Sequence, residues 1–215
     1  MHQTSFDDSL LAEFSDRHLV AGVDEVGRGA LFGAVVAAAV VVPLGKIPDL
    51  IALGVKDSKK LSPDKRQALV RPIKDVVASW YIGSASVAEI DELNILQASL
   101  LAMSRSIANL SVTPDISLVD GNKLIPQLQL PQKTVVKGDL RSPVIAAASI
   151  LAKVWRDEQI TNFALQYPHY DLARNKGYPT AKHRLAIEQY GITPEHRRSF
   201  KSCQNSNSYP ERTDC

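Results

Sequence analysis

The sequence contains little cysteine, and its cysteines are badly placed for a disulfide framework. The two of them, Cys203 and Cys215, lie in a polar stretch near the C-terminus, where they could not cross-link a core. Secreted scaffolds that depend on disulfides carry many spaced cysteines, whereas cytosolic proteins keep their thiols reduced. The sequence therefore excludes a disulfide-dense secreted scaffold and predicts a reducing compartment.

Long apolar runs are also missing. The longest run, residues 30–43, is shorter than the roughly 20 residues that a membrane-spanning helix needs, and it contains Gly33. Residues 1–20 lack the basic start and the apolar stretch of a signal peptide. We therefore expect no membrane association and a cytoplasmic location.

Net charge is low as well. The 25 basic and 23 acidic residues leave a formal charge of +2, which is too small to steer a protein to nucleic acid by itself. A role in nucleic-acid binding must then depend on how the charges cluster, although a single basic cluster is usually a solvated surface. Three clusters occur along the chain: Lys56, Lys59, Lys60, Lys65 and Arg66; Lys176 with Lys182 to Arg184; and Arg197, Arg198 and Lys201.

Strand and helix patterns alternate along most of the chain, which is typical of a single α/β domain. Short β-branched or apolar runs closed by turn residues predict strands at 19–26, 34–42, 80–87, 116–120 and 133–137, the first two as an antiparallel hairpin. Apolar spacing and N-cap signals predict helices from Ser62 (bent at Pro72), at 94–110, 142–166 and 180–190, and from Thr193.

Two adjacent acids end the first predicted strand. Asp24 and Glu25 are followed by Gly27-Arg28-Gly29, where glycine lets the backbone approach a ligand closely. Neighbouring strand residues point to opposite faces, so both carboxylates reach one site only if the strand twists or bulges at its end. An isolated pair of this kind is more often the solvated edge of a turn. A dinucleotide-binding glycine loop is disfavoured, because a strand pattern follows instead of the required helix.

Further acids follow later elements. Asp120 ends the fourth predicted strand and Asp139 follows the fifth, each beside a glycine. Asp157 lies on the long predicted helix, where such an acid is more often exposed and paired, here with Lys153. Strand-end carboxylates without nearby His or Cys ligand pairs favour Mg²⁺ or Mn²⁺ over zinc. Metal-bound carboxylates flanked by basic clusters predict a phosphodiester backbone as substrate.

Eight motifs, taken together and in their order, closely resemble the type 2 ribonuclease H family, bacterial ribonuclease HII. They are AGVDEVGRG, KDSKKLS, EIDELNIL, LVDGN, VVKGD, IAAASILAKVWRDE, NKGYPT and HRRSF. The resemblance implies a ribonuclease H-like α/β fold, with a five-stranded mixed sheet flanked by helices. It implies a catalytic domain over 19–201 that includes a small C-terminal helical part from about 176, after an N-terminal extension (1–18). We expect the polar tail, 202–215, to be disordered.

The resemblance also implies roles for individual residues. The carboxylates that hold two divalent ions, Mn²⁺ or Mg²⁺, and carry out catalysis would be Asp24, Glu25, Asp120 and Asp139. The backbone of Gly27, Arg28 and Gly29 would contact the ribose 2′-hydroxyl, which is the group that distinguishes RNA from DNA. Tyr178 would stack on the sugar at the RNA–DNA junction. Contacts to backbone phosphates would come from Asp57, Ser58, Lys59 and Lys60.

The implied activity is that of a monomeric endonuclease that hydrolyses the RNA strand of RNA–DNA hybrids and cuts at ribonucleotides embedded in duplex DNA. Two-metal chemistry would leave 5′-phosphate and 3′-hydroxyl ends without a side-chain nucleophile. Type 3 ribonuclease H is the nearest alternative, but only about eighteen residues precede the first strand, too few for its extra domain. A non-catalytic binder of RNA–DNA hybrids is disfavoured because all four carboxylates are intact.

Overall fold

A five-stranded mixed sheet forms the centre of the computed structural model, which describes residues 6–55, 61–204 and 206. The strands are β1 (Leu19–Val26), β2 (Val35–Pro43), β3 (Ser79–Ala85), β4 (Ile116–Asp120) and β5 (Gln132–Val135). Their order across the sheet is β3-β2-β1-β4-β5. β2 is antiparallel to both β1 and β3, whereas β4 runs parallel to β1 and β5 runs parallel to β4. The predicted α/β class and mixed sheet are confirmed.

Nine α-helices lie in the described part of the chain. They are α1 (Phe6–Leu10), α2 (Ile47–Ala52), α3 (Pro63–Val76), α4 (Val87–Leu93), α5 (Ile95–Ala108), α6 (Gly138–Arg141), α7 (Pro143–Gln166), α8 (Leu172–Asn175) and α9 (Ala181–Tyr190). Short 3₁₀ turns occur at Leu44–Lys46, Pro168–Tyr170 and Lys201–Cys203. None of the described helices is long and apolar enough to cross a bilayer.

The sheet is covered by helices on both faces, and β2 shows the division. Its even-numbered residues from Val36 to Val42 belong to a core that includes much of α7. Its odd-numbered residues from Val35 to Ala39 belong to a second core that includes α5. Successive side chains of a strand point to opposite faces, so a strand that is apolar at every position needs cover on both sides.

The long helix α7 approaches the centre of the sheet very closely at Gly22 on β1. A Cβ atom at this position would lie 2.5 Å from the backbone carbon of Val144. Real Cβ atoms do not approach backbone that closely, so only glycine permits this contact. The close approach holds the first two turns of α7 against the strand that ends in Asp24 and Glu25.

The predicted starts of three helices are confirmed, and each has a side-chain N-cap. The Ser62 hydroxyl accepts a hydrogen bond from the Lys65 N–H at the start of α3, and the Ser142 hydroxyl accepts one from Ile145 at the start of α7. Thr180 caps α9 in the same way. Such caps satisfy N–H groups that have no partner within the first turn of a helix. α3 continues through Pro72 to Val76.

One expectation for the secondary structure is wrong, and the helix α4 was not expected. The helix expected from Thr193 does not form, because residues 193–199 make turns and His196 pairs as an isolated β-bridge with Phe32. The sequence analysis also missed α4, which begins with a capping box in which Ser86 and Glu89 exchange side-chain and backbone hydrogen bonds.

Both ends of the described chain pack on the domain. Leu11 in the expected N-terminal extension is fully buried, and the Ser142 hydroxyl donates to an Asp7 carboxylate oxygen at 2.8 Å. At the other end Cys203 is buried in an apolar cluster with Phe32 and Tyr170. The polar tail therefore begins after Cys203 rather than at Ser202. Residues 205 and 207–215 lie outside the described residues.

Candidate active site

Three carboxylates meet where two parallel strands end side by side. β1 and β4 are neighbours, and the last pair in their register is Val23 with Val119, so Asp24 and Asp120 follow at adjacent positions. Asp24, Glu25 and Asp120 each place a carboxylate oxygen within 4.8 Å of the other two. The structure thus brings together three of the four carboxylates that the sequence analysis selected.

Asp24 and Glu25 reach this place from a regular strand. β1 pairs with β2 without interruption as far as Val26, so the bulge suggested for this strand end is not needed. Asp24 is buried (6% exposed) and is hydrogen-bonded to the Ser149 side chain of α7. Glu25 lies in a cleft of about 230 Å³ that is also lined by Asp120 and by residues of α5. The two carboxylates therefore enter one site from opposite faces of the sheet.

Negative charge on these closely spaced carboxylates is energetically costly. Burial raises the pKa of Asp24 well above its ordinary value of 3.8, and repulsion from Glu25, Asp120 and Asp139 raises it further. The hydrogen bond from Ser149 opposes this rise. Burial also raises the pKa of Glu25, while the charge and the hydrogen bond of Arg28 at 3.1 Å lower it. A bound cation would relieve this repulsion.

The fourth selected carboxylate, Asp139, lies nearby but outside the group of three. It is buried (7% exposed) in the first turn of α6, and its charge contributes to the raised pKa of Asp24. The preceding residue, Gly138, donates its backbone N–H to Asp120 Oδ1 at 2.6 Å. This hydrogen bond joins the end of β4 to the start of α6 and so holds Asp139 beside the cluster.

The donor set suits a hard divalent cation. All three clustered side chains offer carboxylate oxygens, which Mg²⁺ and Mn²⁺ prefer, and the set contains neither the thiolate nor the imidazole ligands typical of zinc. Burial and mutual repulsion make the charged form of Asp24 costly, and a bound cation would offset that cost. The residues present therefore fit a divalent metal ion.

Two buried arginines hold the glycine-containing turn that follows β1, which comprises residues 27–34. The guanidinium of Arg156 donates to the backbone carbonyls of Phe32, Ala34 and Lys176, at 2.9 to 3.2 Å. Arg197 donates to the carbonyls of Arg28 and Gly33 at 3.0 and 2.9 Å. Both side chains lie at 0–1% exposure. Arg156 thus ties the turn to the loop before Tyr178, and Arg197 ties it to the C-terminal segment.

Gly27 is the tightest point of this turn. Its φ angle is +92°, and a Cβ atom here would lie 2.2 Å from Nε of Arg156. Gly29, two residues later, has open space around it, and Arg28 and Gly29 are exposed. Two of the three predicted contact residues, Arg28 and Gly29, are therefore accessible to a ligand, whereas Gly27 is buried.

Tyr178 lies half-buried at the start of the loop that leads into α9. Its ring has the cationic groups of Lys153 and Arg156 each 5.5 Å from the ring centroid, and its N–H donates to the Asn175 carbonyl at 3.0 Å. Leu31 in the glycine-containing turn donates its N–H to the Gly177 carbonyl at 2.8 Å. The Tyr178 loop and the turn after β1 are therefore direct neighbours.

Several residues of the three basic clusters form hydrogen bonds within the protein, which the sequence did not suggest. Arg66 is buried and donates to the Leu61 carbonyl, and Lys176 is bonded to Thr161 and to the Ala173 carbonyl. Arg66, Lys176 and the buried Arg197 therefore have hydrogen-bond partners within the protein. The sequence-based interpretation of these clusters as phosphate-binding groups did not predict such partners. The exposed members in the described part of the chain are Lys65, Lys182, Arg184, Arg198 and Lys201. The predicted phosphate contacts Asp57, Ser58, Lys59 and Lys60 lie outside the described residues.

Asp157 is paired with Lys153 as expected, but it is not the exposed helix acid that was expected. Its carboxylate accepts a hydrogen bond from Lys153 at 2.8 Å, and both side chains are about four-fifths buried. The sequence analysis missed Ser149 and the buried role of Arg156. A helical signal existed for both, since Ser149, Arg156 and Ile160 recur at spacings of seven and four on the apolar face of α7.

Comparisons with known proteins show the family of the chain. The model of the family described as "Ribonuclease HII" matches residues 21–203. The chain is 59% identical over 187 residues to a ribonuclease HII of Acaryochloris marina, covering 87% of this chain and 94% of the relative. It is 58% identical over 198 residues to one of Microcystis aeruginosa, covering 92% and 94%. Among solved structures, ribonuclease H2 from Pyrococcus horikoshii OT3 aligns with a TM-score of 0.73 at 29% identity, covering 86% of this chain and 95% of that one.

Proposed function

Because the chain belongs to the ribonuclease HII family and is a type 2 ribonuclease H, we propose that it hydrolyses the RNA strand of RNA–DNA hybrids and cuts duplex DNA at embedded ribonucleotides. The observation that carries this proposal is the meeting of Asp24, Glu25 and Asp120 within 4.8 Å at the ends of β1 and β4. Such a group has little structural reason to exist, since each added carboxylate raises the cost of the others.

We assign the metal-binding role to these three carboxylates and to Asp139. When bound, divalent ions would lower the pKa of an attacking water and stabilise the departing 3′-oxygen, giving 5′-phosphate and 3′-hydroxyl ends. The family supports a divalent ion, and we propose two ions during catalysis, Mn²⁺ or Mg²⁺. Ser149 orients the Asp24 carboxylate by its hydrogen bond, and Arg28 does the same for Glu25.

We assign substrate recognition to the exposed turn after β1 and to the neighbouring Tyr178 loop. The backbone of Gly27, Arg28 and Gly29 would contact the ribose 2′-hydroxyl, and the Tyr178 ring would stack on the adjoining sugar. Arg156 and Arg197 fix this turn from beneath, so that its backbone groups are pre-organised. Ser58, Lys59 and Lys60 belong to the proposal as phosphate contacts on the strength of the family motif alone.

The proposal is tested with four end-labelled duplexes of one sequence: a long RNA–DNA hybrid, DNA with one ribonucleotide, all-DNA and all-RNA. Each is incubated with the protein in Mg²⁺, in Mn²⁺ and with a chelator, and the cut is mapped. We expect cleavage of the first two duplexes only, in the presence of metal, with 3′-hydroxyl products. A protein that binds the hybrid but leaves it intact in both metals would instead support a non-catalytic binder.

Two further parts of the proposal are the oligomeric state and the cellular location. We propose that the protein acts as a monomer in the cytoplasm, where its nucleic-acid substrates occur in bacteria. The proposal is supported by the bacterial relatives and by the thiol of Cys203, which is free and buried. Sedimentation at micromolar concentration tests the monomer, and a stable dimer would contradict it.

A further inference from the structure

Two buried histidines lie behind the proposed recognition loops and take no part in the chemistry described so far. His183 on α9 and His196 in the C-terminal segment are both 0% exposed, and their Nε2 atoms lie 3.1 Å apart. Two neutral imidazoles hydrogen-bond at this distance only if one nitrogen carries a proton and the other does not.

The surroundings of the pair determine which nitrogen carries each proton. The backbone N–H of Thr193 donates to His196 Nδ1 at 3.0 Å, so this nitrogen is an acceptor without a proton. Neutral His196 must then carry its proton on Nε2 and donate it to His183 Nε2. The proton of His183 consequently lies on Nδ1, which is 3.0 Å from the backbone carbonyl of Tyr178. One chain of hydrogen bonds thus runs from the Thr193 N–H to the Tyr178 carbonyl.

The same pair is fixed at its other end to the turn after β1. His196 forms the β-bridge with Phe32, and the residues on either side of His196 bond to the same stretch. Gly33 N–H donates to the Glu195 carbonyl at 2.8 Å, and Arg197 N–H donates to the Leu31 carbonyl at 2.9 Å. The histidine pair therefore spans the gap between the turn and the Tyr178 loop.

The environment keeps both rings neutral. Burial, with a smaller contribution from the charge of His183, lowers the pKa of His196 to about 3. Burial also lowers the pKa of His183, against the opposing effects of the Tyr178 carbonyl and of Asp171 on the preceding segment. The rings of Phe32 and Tyr170 pack 5.0 and 4.9 Å from that of His196. The hydrogen-bond chain is therefore constant across the neutral range of pH.

We propose that His183 is a positioning residue: through its Nδ1–H bond to the Tyr178 carbonyl, and braced by His196, it sets the orientation of Tyr178 relative to the turn after β1. This inference rests on the proposed role of Tyr178 in recognising a ribonucleotide in DNA. It adds that the selectivity of Tyr178 depends on a buried pair that never contacts the substrate.

Matched substitutions of His183 separate positioning from packing. Asparagine places an amide N–H near the position of Nδ1 and keeps a donor for the Tyr178 carbonyl, whereas leucine fills similar space without one. We measure the ratio of kcat/KM for a lone ribonucleotide to that for a long hybrid. We expect His183→Leu to lower this ratio by about fivefold, His183→Asn to restore most of it, and Tyr178→Ala to abolish any further effect of His183→Leu.

The outcomes separate the role of Tyr178 in recognition from the positioning role of His183. If Tyr178→Ala leaves the ratio unchanged, the proposed role of Tyr178 fails, and the positioning role fails with it. If Tyr178→Ala lowers the ratio but folded His183→Leu does not, only the positioning role fails. Equal losses on both substrates, with a lowered melting temperature and no rescue by asparagine, would show a purely structural pair.

A measurement on the unaltered protein decides the matter if His183→Leu does not fold. Nitrogen-15 spectra of the two imidazoles at neutral pH should show protons on His183 Nδ1 and His196 Nε2, with a coupling across the Nε2–Nε2 hydrogen bond. A bare His183 Nδ1, or a charged ring, would break the chain to Tyr178 and overturn the proposal.

Discussion

Replacing Asp24 by asparagine should make the metal-free protein more stable. The change keeps the volume of the side chain and an acceptor for the Glu25 N–H, which donates to Asp24 Oδ1 at 2.7 Å. It removes a buried charge that repels Glu25, Asp120 and Asp139. A group selected for metal binding is expected to cost stability when the metal is removed, so the substitution should raise the melting temperature in chelator.

The size of the gain follows from the spacing of the carboxylates. Two unit charges no more than 4.8 Å apart repel by at least about 3.5 kcal/mol at an effective dielectric constant near 20. Uptake of a proton by the cluster removes part of this repulsion, so we expect a net gain of about 1–3 kcal/mol at pH 8. A protein of this size gains about 2–4 °C in melting temperature for each kcal/mol.

The sign of the pH dependence is a second part of the same prediction. The folded-state pKa of Asp24 is raised, so between its ordinary value of 3.8 and the raised value the folded protein binds more protons than the unfolded chain. Stability is therefore lost as the pH rises through that window. The advantage of Asp24→Asn should be small near pH 4 and should grow towards pH 8.

Thermal unfolding in chelator and in Mn²⁺ provides the assay. The wild-type protein should gain more from Mn²⁺ than Asp24→Asn does, because binding to the folded state stabilises it. Asp157→Asn is the matched control, since Asp157 is paired with Lys153 and its loss should not stabilise the protein. A lower melting temperature for Asp24→Asn in chelator at pH 8 would refute the argument from repulsion.

Three further predictions concern the site and its support. Asp157→Asn should cleave far better than Asp139→Asn in single-turnover assays, and equal damage with intact folds would show that the fourth carboxylate is misassigned. Tyr178→Ala should slow cleavage at a lone ribonucleotide more than it weakens duplex binding, at a cost of about 1 kcal/mol in kcat/KM, whereas Tyr178→Phe should not slow this cleavage. Parallel losses on every substrate, with a lowered melting temperature, would favour a packing role for Tyr178. Gly27→Ala should lower the free energy of unfolding by about 3 kcal/mol or more, because it adds a clash with Arg156 to the strain of a positive φ. Gly54→Ala, at φ +75° with open space around it, should cost only about 1–2 kcal/mol. Similar costs at both positions in denaturant unfolding would show that the Arg156 side chain moves to avoid the clash.

The sequence was sufficient where local pattern and burial agree. β1 and β4 have the predicted bounds, and the carboxylates at their ends converge because the two strands are parallel neighbours. The start of α7 at Pro143 follows from its serine cap and first-turn proline. The interactions that decide the start of α7 lie within a few residues, and each strand is recognisable from its own apolar run.

The sequence was not sufficient where a partner lies far along the chain. Arg197 resembled a surface cation in a basic cluster, yet it is buried because it donates to the carbonyl of Gly33, 164 residues away. Cys203 resembled part of a polar tail and is buried beside aromatic residues. Residues 193–199 form turns rather than the expected helix, because His196 pairs with Phe32. Local propensity carries no record of such partners.

We expect the carboxylate cluster, with a divalent metal bound, to perform the cleavage. The most direct test compares wild-type protein and Asp24→Asn on a labelled DNA duplex containing one ribonucleotide, in Mg²⁺, in Mn²⁺ and in chelator, with binding of the duplex measured in parallel. We expect a metal-dependent cut by the wild-type protein, and loss of the cut with affinity largely retained in Asp24→Asn. Cleavage by the wild-type protein in chelator, or retention of more than about a tenth of the wild-type turnover by Asp24→Asn in Mg²⁺, would contradict it.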